Sequence, residues 1–127
     1  MNILLSIKPE YVEKIFSGKK TYEFRKRRPR EAVSKFFVYE SHPSKRIVGW
    51  FSVRRIHSGS PAEIWKRCKY SSGIKIQNYL IYCRDKKTVH AFEIDETFRF
   101  DDPINPFDIF RDFRPPQDFM YLDRELR

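Results

Sequence analysis

Lys20, Glu23 and Arg25 are the residues of this chain best suited to chemistry. They fall in SGKKTYEFRKRRPR, Ser17 to Arg30, which holds seven Lys or Arg residues and a single acid. A lone carboxylate weakens a patch that merely grips phosphate, so Glu23 belongs either to a site or to a structural ion pair. In a site, Glu23 accepts hydrogen bonds from a nucleobase amino group or acts as a base, while Lys20 and Arg25 bind phosphate or orient the carboxylate. As a surface ion pair it fixes the loop and contributes about 0–1 kcal/mol. Lys26, Arg27, Arg28 and Arg30 lack an acid partner in sequence. They suit sequence-independent phosphate contacts, or form a solvated charged loop.

Tyr39, Trp50 and Tyr121 are candidates for stacking on bases, against the commoner use of strand aromatics as core. His42, His57 and His90 stand apart, without HxxxH or His–Cys spacing, so no metal is expected. Imidazole titrates near neutrality and any of the three could serve as a base, but nothing in the sequence selects one. No phosphate-cradling glycine loop, nucleophile elbow or dinucleotide fingerprint is present, and no cofactor is expected. Cys68 and Cys83 lack CxxC spacing and read as free thiols of a cytoplasmic protein.

Short elements must position these residues. Ile3–Ile7 is an apolar run suited to a buried strand. Pro9 can open a helix whose apolar face is Tyr11, Val12, Ile15 and Phe16, with Gly18 as its stop. From Thr21 to Arg25 the residues alternate. Tyr22 and Phe24 are expected to face the core, which leaves Glu23 and Arg25 on an open face, with Lys20 at the turn into the strand. KFFVY (35–39) and RIVGWFSVRRI (46–56) are strands joined by a turn at SHPSK, and Gly49 marks a bulge or a close backbone approach. SPAE at Ser60–Glu63 is a capping box for a helix carrying Ile64, Trp65 and Cys68. Ser72-Gly73 ends it, and Ile76, Tyr79, Leu80 and Cys83 mark a second short helix. Thr88–Phe100 reads as strand with a break near Asp95. The Pro- and Phe-rich tail from Asp101 is expected to wrap on the body in extended form.

At 127 residues and 40% hydrophobic composition the chain is expected to be one domain, residues 1–127, with a single core. No apolar run is long enough to span a bilayer, and no membrane partner is expected. The net charge of +9, concentrated around the first motif, is the footprint of a polyanion partner, above all nucleic acid. Strands outnumber helices without a βαβ rhythm, which points to an α+β fold built on a small mixed β-barrel with short helices at its ends. The oligomeric state is open.

Gly18-Lys19-Lys20-Thr21-Tyr22-Glu23-Phe24-Arg25 fits G-x-K-x-x-E-x-R, the signature of ASCH domains within the PUA-like superfamily. ILLSIKPEYVEKIFSGKKTYEFRKR, VYES, IVGWF, SPAEIW and PPQDFMYL also resemble compact microbial and phage members of that family. The resemblance implies a PUA-like barrel with a cleft beside the first helix and an RNA-binding role, on single-stranded or structured RNA. On it, Ser6, Lys8 and Gln117 are expected near the cleft. One branch of the family deacetylates N4-acetylcytidine, using the motif lysine with a threonine and a later glutamate. Lys20 matches that lysine, but Glu23 stands where the threonine would be, so the nucleophilic hydroxyl is missing. Other relatives are ribonucleases. Two functions therefore follow: a binder of RNA at Lys20, Glu23 and Arg25, or a hydrolase of RNA or a modified nucleoside with Lys20 and Glu23 in its active site.

Overall fold

The computed structural model of the chain describes residues 1–126, in the order β1 (Asn2–Ile7), α1 (Pro9–Phe16), β2 (Tyr22–Arg25), β3 (Phe36–Glu40), β4 (Arg46–Gly59), α2 (Pro61–Cys68), α3 (Ile76–Tyr82), β5 (Val89–Ile104) and β6 (Phe119–Leu122). The six strands form one mixed sheet in the order β2-β5-β4-β3-β1-β6. Only β1 and β3 pair in parallel; the other neighbours are antiparallel. The sheet curls into a half-barrel, an α+β PUA-like architecture, whose two edge strands β2 and β6 are not joined by a ladder.

Both faces of the central strands are covered, which is why β1 and β3 read as apolar runs instead of alternating. Ile3, Leu5, Phe36, Val38, Phe51 and Phe92 form the concave core, into which α1 inserts Val12 and Ile15. On the other face Leu4, Phe37, Tyr39 and Ile47 pack against Phe113 and Leu122 of the C-terminal segment. The tail thus wraps on the body, and its β6 pairs with β1 from Asn2↔Leu122 to Leu5↔Phe119. A third cluster joins Ile64 and Cys68 of α2 and Tyr79 of α3 to Phe24, Val89 and Ala91. The Ser60 cap accepts from the Glu63 backbone N–H, and the Glu63 carboxylate accepts from the Ser60 N–H, as the capping box requires.

Two expectations need correction. β5 does not break near Asp95; it runs unbroken to Ile104, and shifts of register against β4 around Val53 absorb the twist that a break would have relieved. The second correction concerns β2. Tyr22 and Phe24 do face a core, the cluster under α2 and α3. Glu23 and Arg25, however, share the face of their cross-strand partners Phe92 and His90, toward the concave side, and they are buried. An edge strand of a curled sheet has no open face where the curl and a helix enclose it. Gly49 combines both expected features: the β3–β4 and β4–β5 registers shift beside it, and a side chain there would overlap the Phe98 carbonyl oxygen.

Candidate functional site

The first helix delivers Lys20 inward. Gly18 turns the chain at φ +81°, its N–H bonding the Ile15 carbonyl, and the Lys20 N–H returns to the Lys14 carbonyl at 2.9 Å. The loop at Ser71–Gly73 then closes over this turn. It accepts hydrogen bonds from the Thr21 N–H (2.8 Å), the Lys14 ammonium (2.9 Å) and the Lys20 ammonium, which bonds the Ser72 carbonyl at 2.7 Å. Lys20 is only 3% exposed, and its Nζ stands over the rings of Tyr11 and Phe24 at 5.4 and 5.1 Å.

Glu23 and Arg25 lie where the half-barrel fails to close. Arg25 Nε donates to Glu23 Oε2 at 3.0 Å, and its Nη2 stands 2.9 Å from the same oxygen. Nη2 also donates to the Ser6 carbonyl (2.9 Å) and Nη1 to the Asp118 carbonyl (3.3 Å), with the Asp118 carboxylate at 3.7 Å. β6 pairs with β1 only as far as Leu5, so the Ser6 carbonyl lies beyond that ladder, and Arg25 takes it. One guanidinium therefore ties β2, β1 and the approach to β6 across the open seam, using the planar fork that suits Arg and not Lys. Arg25 takes Glu23 Oε2, whereas among the described residues Oε1 has only the Lys20 ammonium, at 3.6 Å.

These groups line a cavity of about 480 Å³ with Ser6, Lys8, Tyr11, Asn78, Tyr82 and Gln117. That size is in the range of small-ligand sites. The Ser6 hydroxyl is buried and has no hydrogen-bond partner in the protein. Burial pushes the Lys20 ammonium below the usual lysine range, and the nearby Glu23 carboxylate opposes that shift. Burial also pushes the Tyr82 phenol up to about 12, so it lines the cavity as a neutral donor.

The remaining sequence candidates divide. Lys8 lines the cavity, as do Ser6 and Gln117. Lys26 sits at the rim, its Nζ 4.6 Å from the Tyr82 ring centroid. Arg27 stacks over Phe119 of β6, and the Arg30 N–H donates to the Tyr121 hydroxyl at 2.8 Å, so the basic loop lies along β6. Arg28 points elsewhere, donating to Ser58. Tyr121 is 38% exposed but does not line the cavity. Tyr39 is core, 3% exposed and packed on Phe113. Trp50 packs on the convex side beneath Lys35. Tyr11, Asn78 and Tyr82 were missed by the sequence reading. Tyr11 reads in the sequence as part of the apolar face of the first helix, and nothing in a linear pattern places α3 against α1. Cys68 and Cys83 lie in the third cluster, where burial raises both thiols, Cys68 to about 11. Among the described residues no three His, Cys, Asp or Glu side chains converge as metal ligands, and no helix is long and apolar enough to cross a membrane.

Gly73 is the joint of this wall. Its φ is +67°, and a Cβ there would stand 2.8 Å from Lys20 Cβ. Gly73→Ala is therefore expected to lose about 1–3 kcal/mol from strain alone and to push Lys20 off the Ser72 carbonyl. Urea unfolding checks the first effect, and loss of ligand binding beyond the stability loss checks the second.

The family model for the ASCH domain matches residues 5–98. A protein of Zymomonas mobilis named an ASCH domain-containing ribonuclease is 31% identical over 129 residues, covering 96% of this chain and 84% of that protein. The crystal structure of ASCH from Zymomonas mobilis superposes with a TM-score of 0.89 at 29% identity, over 97% of this chain and 88% of that one. The large ribosomal subunit protein uL22 of Ureaplasma parvum is 27% identical over 123 residues, and the chain spans 39% of its length.

Proposed function

The chain belongs to the ASCH domain family, and on that premise we propose that it is an RNA-directed protein that holds one nucleotide or base in the cavity at Lys20, Glu23 and Arg25. The observation that carries this reading is a loosely paired carboxylate oxygen beside an unpartnered hydroxyl inside one cavity. After Arg25 has taken Oε2, Glu23 Oε1 faces the Lys20 ammonium at 3.6 Å, longer than a hydrogen bond, and the Ser6 hydroxyl has no partner among the described residues. A buried hydroxyl without a partner costs about 1–3 kcal/mol, which a hydrogen-bonding ligand would return. A carboxylate acceptor suits a nucleobase amino or imino group, and Lys8 and Lys26 at the mouth suit the adjoining phosphates. Residues 1–127 act as one unit in this reading. The choice of RNA rests on the ribonuclease name of the Zymomonas relative, and a cytoplasmic location on the two unpaired thiols.

A second reading, hydrolysis of RNA or of a modified nucleoside, is favoured by one observation. Lys20 is a desolvated ammonium beside a carboxylate, a pair able to deliver and accept a proton.

End-labelled, mixed-sequence single-stranded RNA, followed for retention and integrity in the same samples, separates the two. Retained and intact RNA is the expected result. Glu23→Gln should weaken retention by about 10- to 100-fold, the value of a hydrogen bond to a charged group. The log–log salt dependence should have a slope of about −0.7 per phosphate contact. RNA that is cleaved by the native protein and left whole by Glu23→Gln would establish the hydrolase instead. Neither retention nor cleavage would remove RNA as the target.

A further inference from the structure

Of the three histidines, His90 is the one the fold places beside the cavity. It is the cross-strand partner of Arg25 on β2 and of Ser58 on β4, so it shares the concave face with Glu23 and Arg25. Along β2, from Glu23↔Phe92 to Arg25↔His90 is two residues, roughly 7 Å. There the Ser58 hydroxyl meets His90 Nδ1 at 2.7 Å, and Arg28 Nη1 donates to the same hydroxyl at 3.1 Å. Three hydrogen-bonding groups, one of them a full cation, converge there, and among the described residues no carboxylate is hydrogen-bonded to them.

The contrast with His57 is instructive. His57 Nε2 meets Glu93 Oε1 at 2.8 Å and its Nδ1 meets Arg67 at 3.1 Å, so both ring nitrogens are used inside the protein. His90 Nε2 has no such partner among the described residues, and Arg28 makes no ion pair there. Arg28 also borders a second depression of about 280 Å³ lined by Arg30 and Arg55 with one lining acid, Glu31, while Arg55 Nε lies 3.9 Å from Glu93 Oε1 outside the lining. Arg28 thus touches both the Ser58–His90 pair and this basic depression.

We propose that Arg28, Ser58 and His90 form a subsite for the phosphate of the nucleotide that adjoins the one in the Glu23 cavity, so that the protein grips a continuous single strand and not an isolated nucleoside. The proposal rests on the reading of the cavity as a nucleotide site. Arg28 supplies the charge, the Ser58 hydroxyl and the imidazole supply directed donors, and Arg30 and Arg55 receive the strand beyond.

The charged groups facing His90 are Arg28 from the loop, Arg25 from β2 and Asp118 from the segment before β6; Ser58 on β4 is neutral. Burial first, and Arg28 second, hold the imidazole below its ordinary value, against Asp118. The free protein therefore carries neutral His90 at neutral pH. A bound phosphate favours the imidazolium, so the complex holds more protons than its parts. Affinity must then rise as pH falls through the value His90 has in the complex, and level off below its value in the free protein.

The test uses the whole chain, a short single-stranded RNA read by fluorescence anisotropy across pH, and the His90 ring resonance read by NMR. Arg28→Gln and His90→Gln are each expected to weaken binding roughly tenfold. His90→Gln should also abolish the tightening at lower pH, and RNA should move the His90 titration upward in the native protein. Both positions are at least partly exposed, and thermal melting checks that the variants fold. Native affinity and an unchanged pH profile in both variants, with Glu23→Gln still impaired, would overturn the subsite and leave the cavity reading standing. If the native protein binds no RNA, the cavity reading fails and inorganic phosphate becomes the probe. An upward move of the His90 titration that Arg28→Gln removes would keep the anion subsite, and no move would overturn it.

Discussion

Arg25→Ala is expected to lower the unfolding free energy by about 3–5 kcal/mol, a large share of what holds a domain of this size together. The reason is the state of what remains. Arg25 is 7% exposed, and its guanidinium satisfies Glu23, the Ser6 carbonyl and the Asp118 carbonyl together. Truncation leaves Glu23, 6% exposed, with Lys20 alone at 3.6 Å, and leaves the Ser6 carbonyl facing the seam without its donor. Arg25→Lys should restore little, because an ammonium cannot span three strands' worth of acceptors from one planar fork. Arg25→Met combined with Glu23→Gln should be less damaging than the two single losses added, since no unpaired charge is then buried. Urea unfolding of the native protein, Arg25→Ala, Arg25→Lys, the single variants Arg25→Met and Glu23→Gln, and their double measures this. A loss under about 0.5 kcal/mol for Arg25→Ala, the level of an ordinary surface substitution, would show that the seam does not depend on this clamp.

Lys20→Met should separate stability from function. The native ammonium is desolvated, so a side chain of similar shape and no charge relieves a burial cost while forfeiting the bond to the Ser72 carbonyl. Net stability at neutral pH should change by no more than about 1 kcal/mol in either direction. Ligand binding should fall about 10- to 100-fold, because the cation facing Glu23 Oε1 and the cavity is gone. The pH dependence supplies an independent check. Burial sets the folded value of Lys20 below 10.5, so between that value and 10.5 the unfolded chain binds more protons than the folded one. In that window Lys20 makes stability rise with pH, the reverse of a lysine stabilised by a dominant partner. The unfolding free energy of the native protein should therefore rise relative to that of Lys20→Met as the solution is made alkaline. A difference that is flat with pH would mean that Lys20 is not desolvated in the folded protein.

The two variants probe different layers of one arrangement. Arg25 closes the seam and orients the carboxylate, and Lys20 presents charge to the cavity. Glu23 joins them, which answers why a lone acid lies among seven cations: two of those cations are buried with it, and the others remain on the loop.

Much of this was legible along the chain. Pro9 and the Tyr11–Phe16 pattern mark α1, and Gly18 marks its end, because local backbone preference and a one-sided apolar stripe suffice for a short helix. The capping box at Ser60–Glu63 marks α2 for the same reason. The grouping of Lys20, Glu23 and Arg25 was legible as well, since three residues within six positions at the mouth of a strand cannot be far apart. The spread of cations over Lys26–Arg30 was visible too, but not the divergence of Arg27 toward Phe119 and Arg28 toward Ser58.

What the tertiary structure alone decided is which surfaces of those elements are inside. Alternation along β2 separates Glu23 and Arg25 from Tyr22 and Phe24, but it cannot say that both sides are enclosed, one by α2 and α3 and the other by the curl of the sheet. Aromatic residues look alike in sequence whether a strand or a helix carries them, so Tyr39 of β3 as core and Tyr82 of α3 as cavity wall were distinguishable only once the layers had packed. His90 became a candidate only through two cross-strand pairings, with Arg25 and Ser58, that join residues more than thirty positions apart. Short-range pattern records the preferences of neighbours in the chain, and it therefore determined the elements and the reactive triplet. The seam, the cavity and the adjoining phosphate subsite come from contacts between distant strands, whose register is set by the packing of the whole core.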